Sequence, residues 1–115
     1  MPSGIEKDLL LNFTDFLESA RDELKKGRYN PAVSSYFKAL AVLCDWRIYS
    51  EKRILPKNHT ERFMILKSDF QDAYDLISPL FKKYRDSYSL RMRKEDALEL
   101  DKNVQKLKRI LAAEE

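Results

Sequence analysis

The chain is short of the residues that small proteins use as covalent or metal staples, with one cysteine and one histidine among 115 residues. Cys44 alone cannot close an intramolecular disulfide, so it reads as a buried thiol in a reducing compartment. One histidine and one cysteine do not supply the ligand cluster that zinc requires. No metal or other cofactor is therefore expected. With only two glycines, the chain has no Gly-rich phosphate loop. No Ser/His/Asp set or pair of catalytic carboxylates can be identified either, which argues against a familiar small-molecule enzyme. No apolar run approaches the ~18 residues of a membrane span. Glu6, Lys7 and Asp8 stand where a signal peptide needs an apolar stretch, so a cytoplasmic protein without membrane contact is expected. Charge of one sign is also missing overall: 22 basic and 19 acidic residues leave a net +3, too balanced to imply nucleic acid by itself.

What is present is helical periodicity. No segment alternates β-branched and polar residues, and the length suits one domain covering residues 1–115. Residues 1–4 are expected to fray. A first helix is expected over about 5–26, where Ile5, Leu9, Phe13, Phe16, Leu17, Ala20 and Leu24 form one stripe. The last helix is expected over about 94–113, with Ala97, Leu100, Val104, Leu107 and Leu111 inward. Between them, Phe63, Leu66, Phe70, Ala73, Ile77, Leu80, Phe81, Tyr84 and Tyr88 keep helical spacing for almost thirty residues. Pro79 lies inside that run and should kink or break it, because it lacks an amide and clashes with the preceding turn. The spacing predicts a helix over 60–77, a break, and a further segment to about 88.

The second helix organises the rest. Gly27 suits the left-handed position that closes a helix. Asn30 followed by Pro31 predicts a helix start, with Asn30 as N-cap. From Val33 to Ile48 apolar residues cover most of the helix circumference, as in a helix enclosed by others. Trp46 fits either the core or a dimer interface. Pro56 ends this helix near Ile54 and Leu55, and Asn58 or Thr60 is available to cap the next. The predicted fold is all-α, an up-and-down four-helix bundle whose third helix is kinked or broken near Pro79.

Two passages carry candidate sites. His59 is the only side chain with an ordinary pKa suited to proton transfer near neutrality; its alternative reading is a local hydrogen bond at a helix start. Between positions 82 and 94, Lys82, Lys83, Arg85, Arg91, Arg93 and Lys94 face a single acidic residue, Asp86. With Tyr84 and Tyr88 interleaved, this stretch has cations for phosphates and aromatic faces for stacking. Its alternative is a solvated turn whose tyrosines cap the core. Lys38, on the second helix, reads as a snorkelling surface lysine or a bridge to an acidic side chain or a phosphate.

The order of these features resembles the HEPN family, small helical bundles of archaea and bacteria. Gly27-Arg28-Tyr29-Asn30-Pro31-Ala32 with Tyr36-Phe37-Lys38-Ala39-Leu40 is similar to the family's G-x-Y-x-x-A corner and its aromatic-Lys-Ala helix. Lys57-Asn58-His59-Thr60 is similar to its lysine-x-histidine-Ser/Thr helix start. The stretch from Tyr84 to Leu100 is similar to its tyrosine-rich turn, although Ser87 stands before Tyr88 where an arginine is usual. The resemblance implies a role around nucleotide or RNA, or as partner of a small nucleotidyltransferase in a toxin–antitoxin-like pair. Lys57, His59, Lys82, Lys83, Tyr84, Arg85, Tyr88 and Arg91 would be the contact residues. Some family members are metal-independent dimeric endoribonucleases with an Arg-x(4–6)-His motif, a spacing that Arg53 and His59 share. Here, however, Ile54 follows the arginine and Pro56 interrupts. A homodimer is expected, because the apolar stripes are wide for four helices to absorb. The plainest alternative is a helical interaction adaptor without ligand.

Overall fold

A computed structural model describes residues 4–112, and all regular structure within them is helical. Residues 1–3, included in the expected frayed end, and Ala113, the expected end of the last helix, lie outside the described residues. The first helix, α1, spans Gly4–Lys25 and buries Phe13, Leu17 and Ala20. Gly27 closes it with φ +74. The Gly27 amide donates to the Leu24 carbonyl at 3.1 Å and the Arg28 amide to the Glu23 carbonyl at 2.9 Å. These two crossed bonds satisfy carbonyls that the helix end would otherwise leave open.

Helix α2, Tyr29–Lys52, is the central element and touches every other helix. Its enclosure explains why Val33, Tyr36, Phe37, Leu40, Leu43, Cys44 and Ile48 are all buried on one helix. Trp46 is half-buried against this core. The chain leaves α2 through Arg53, which takes the left-handed conformation at φ 58. Asn30 is not the N-cap that the Asn-Pro pair predicts. The helix begins two residues earlier, at Tyr29, Arg28 holds the cap position without a side-chain bond, and the Asn30 side chain serves a distant loop instead.

The third predicted helix is broken twice. Helix α3 spans His59–Asp69, α4 spans Gln71–Ile77 and α5 spans Leu80–Asp86. The expected break at Pro79 is present: Ser78 and Pro79 keep helix-like angles, but the missing proline amide interrupts the ladder. The break at Phe70 (φ −139, ψ 63) was not anticipated. No proline or glycine marks it, and Leu66, Ala73 and Ile77 stay buried on both sides. Tertiary packing sets that turn while the apolar spacing runs through it unchanged. Helix α6, Lys94–Ala112, buries Ala97, Leu100, Val104, Leu107 and Leu111 as expected and packs on α2 and α4. No described helix is long and apolar enough to cross a membrane.

Candidate functional site

His59 is the first residue of α3, where Asn58 caps the helix by accepting the Glu61 amide at 2.8 Å. The Glu61 carboxylate reaches back to the Lys57 amide at 3.2 Å. This pair of reciprocal bonds fixes the start of α3 and with it the direction of the imidazole. The ring points into an aromatic cluster. Its centroid lies 5.0 Å from Phe81, 5.7 Å from Tyr84, 5.9 Å from Phe37 and 6.5 Å from Phe63. Phe63 belongs to α3 itself, Phe37 to α2, and Phe81 and Tyr84 to α5.

One turn into α3, the Arg62 Nη1 lies 2.7 Å from His59 Nδ1. The same guanidinium grips Asp45 of α2 with two bonds, Nε to Oδ1 at 2.7 Å and Nη2 to Oδ2 at 2.9 Å. The Arg62 and Asp45 side chains are only 10% and 12% exposed. A carboxylate buried on the core side of α2 demands such a partner, because an unpaired buried charge is very costly. Burial, and then the Arg62 charge, push the His59 pKa below its ordinary value, against a smaller opposing pull from Asp45.

From this cluster an aromatic path runs outward along α5. Tyr84 stacks on Phe37 at 4.6 Å with an interplanar angle of 17°. Its hydroxyl shares a 2.9 Å hydrogen bond with Tyr88. Burial and that bond push the Tyr84 phenol up to about 12. The Tyr88 residue is 71% exposed. Arg85 lies over the Phe81 ring at 5.3 Å, in cation–π contact.

The connection after α5 is held from α2. Asn30 Nδ2 donates to the carbonyls of Ser87 and Leu90 at 2.7 and 2.6 Å, and its Oδ1 accepts the Met92 amide at 3.0 Å. Arg91 is exposed on this loop. The basic stretch is less one-signed in space than along the chain. Lys82 pairs with Asp86 at 2.8 Å, and Lys83 pairs with Asp96 at 2.9 Å and also with Glu99. The acidic first turns of α6 thus neutralise part of it.

The fold therefore brings His59, Tyr84, Tyr88 and Arg85 into one connected cluster, with Lys57 exposed beside His59 and Arg91 exposed on the neighbouring loop. It does not turn Arg53 toward His59. The Arg53 guanidinium pairs with Glu6 at 2.8 Å and lies 5.3 Å over Tyr49, whereas His59 engages Arg62. Lys38 is exposed. Asp45, Arg62 and the rings of Phe37, Phe63 and Phe81 are site residues that sequence reading missed. A signal for Asp45 existed: it is the only acidic residue between Pro31 and Ser50, in the most apolar helix.

A cavity of about 370 Å³ lies elsewhere, lined by Arg47, Glu51, Phe70, Asp72 and Ile110 among others, with no member of the His59 cluster. Among the described residues no group of His, Cys, Asp and Glu could hold a metal ion. The chain matches no protein-family model, no curated protein and no solved structure.

Proposed function

We propose that this chain is a HEPN-like helical domain that binds RNA or a nucleotide without a reaction of its own, through the surface around His59, Tyr84, Arg85, Tyr88 and Arg91. One observation carries the reading. The two passages singled out in sequence, 57–60 and 82–94, meet in space, with the His59 ring 5.7 Å from Tyr84 and Tyr84 bonded to Tyr88. Exposed Tyr88 offers a face on which a base can stack, and Arg85 and Arg91 are cations for the adjoining phosphates.

In this reading α3, α4 and α5 together stand for the third helix of an up-and-down four-helix bundle, and the protein works in the cytoplasm as a homodimer. Support for a dimer comes from Leu11, Ile54, Leu55 and Met64, all substantially exposed. The reading also takes in a nucleotidyltransferase as a protein partner. Binding without catalysis is favoured over the endoribonuclease reading because, within one chain, Arg53 is engaged by Glu6 and stands apart from the His59 cluster.

The test is a fluorescence-anisotropy titration of single-stranded RNA and of nucleotides across a range of salt concentrations. Binding that weakens with salt is the expected result, since phosphate contacts release counterions. RNA cleavage in EDTA, lost in a folded His59→Ala variant, would instead establish the endoribonuclease.

A further inference from the structure

We propose that Arg62 is a positioning residue that fixes His59 as a hydrogen-bond donor, so that the imidazole presents Nε2–H to a phosphate oxygen of the ligand. The choice of ligand rests on the functional reading above; the proton position rests on geometry alone. A guanidinium has five N–H donors, no acceptor, and does not deprotonate in proteins. With Arg62 Nη1 at 2.7 Å from His59 Nδ1, the guanidinium must donate and Nδ1 must accept. A neutral ring whose Nδ1 is an acceptor carries its proton on Nε2.

Three features hold this arrangement. The guanidinium cannot turn away, because Asp45 grips it through Nε and Nη2. The imidazole cannot turn over freely, because Phe37, Phe81 and Tyr84 surround it. Protonation of Nδ1 would set its N–H against a guanidinium N–H. The charged and titratable groups that face the ring are Asp45 from α2, Arg62 from α3 and Tyr84 from α5. Nε2 has no hydrogen-bond partner among the described residues, nor is it a buried unpartnered atom. It keeps some solvent exposure, from which an acceptor oxygen can approach. A histidine held this way donates to an acceptor oxygen and offers no lone pair there for taking up a proton. That separates a phosphate contact from a general base.

Because His59 is the sole histidine, a long-range proton–nitrogen NMR spectrum of the labelled protein reports on this ring alone. The expected result near neutral pH is a protonated Nε2 and an unprotonated Nδ1, unchanged as the pH is lowered through about 6.5, the ordinary histidine value. A proton on Nδ1, an imidazolium, or rapid averaging of the two tautomers overturns the proposal. In the double variant Asp45→Leu with Arg62→Met, which leaves no buried charge unpaired, Nδ1 loses its donor and the two neutral tautomers should interconvert; an Nε2–H tautomer held as in the wild type overturns the role of Arg62. The wild-type spectrum decides the proton position even if that variant does not fold.

Addition of oligouridylate RNA or of uridine monophosphate should shift the Nε2–H resonance, the first alone indicating an RNA backbone and the second a free nucleotide. RNA that binds without moving that resonance overturns the donor role and leaves RNA binding intact. If neither probe binds, the functional reading and the ligand contact both fall, while the spectrum still shows whether Arg62 sets the tautomer.

Discussion

The Oδ1 of Asn30 accepts the backbone amide of Met92 at 3.0 Å, tying the start of α2 to a loop 62 residues later. The same side chain donates to the carbonyls of Ser87 and Leu90. One asparagine thus supplies three hydrogen bonds to a connection that has little regular structure of its own. That connection carries Arg91, and Tyr88 lies at its start, so the position of the candidate RNA contacts depends on α2.

Asn30→Ala is expected to destabilise the protein by about 1–3 kcal/mol, from three half-exposed bonds of roughly 1 kcal/mol or less each. Asn30→Asp should cost more, since it removes both Nδ2 bonds and sets a carboxylate against two carbonyl oxygens. Thermal denaturation measures the loss. Hydrogen exchange at the Met92 amide checks its location: this amide should lose protection first.

The Asp45–Arg62 pair behaves differently from a surface ion pair. Arg62→Ala leaves a buried carboxylate without a partner and is expected to cost about 3–5 kcal/mol. The double change Asp45→Leu with Arg62→Met removes both charges and should be far milder than the sum of the single changes. Chemical denaturation of the four proteins in one cycle decides this; additive losses would mean that the two residues are not coupled.

Stability should fall on mild acidification. The His59 pKa is lowered in the folded state by burial and by Arg62. As pH falls through about 6.5 the unfolded chain therefore takes up a proton before the folded one does. Stability attributable to His59 is complete above that pH and declines until the folded group also titrates. Asp69 and Asp96, whose pKa values are lowered by hydrogen bonds to Lys52 and to the Arg93 backbone respectively, add their losses only at lower pH, from the ordinary carboxylate range downward. Urea denaturation at about pH 7.5, 6.5 and 5.5 should show the decline in the wild type and its absence in His59→Gln.

Much of this architecture is legible in the sequence because it follows from local rules. The stripes of α1 and α6 have one apolar side each, so spacing alone orients them. Gly27 is needed for its positive φ, and Cys44 lies among the buried residues of α2. Asn30 misleads because the same side chain that suits a cap also suits a loop, and only the approach of residues 87–92 selects the second use. Phe70 gives no local sign of a break, although its ring lies against the core. Asp45 stands out as the one acidic residue in the apolar part of α2, but its partner Arg62, 17 residues on and in another helix, looks like an ordinary polar residue. The meeting of His59 with Tyr84 was likewise out of reach, since it depends on how α5 folds back after Pro79.

The central claim is that Tyr88 and the cations around it bind RNA or nucleotide. Its most direct test is the affinity of single-stranded RNA for the wild type beside Tyr88→Ala and Arg91→Glu. Both side chains are exposed, so neither change should disturb folding, which circular dichroism verifies. Loss of the stacking face should weaken binding by about 1–3 kcal/mol, and Arg91→Glu should weaken it and flatten its salt dependence. Wild-type affinity in both folded variants, or no binding by the wild type at low salt, would contradict the account.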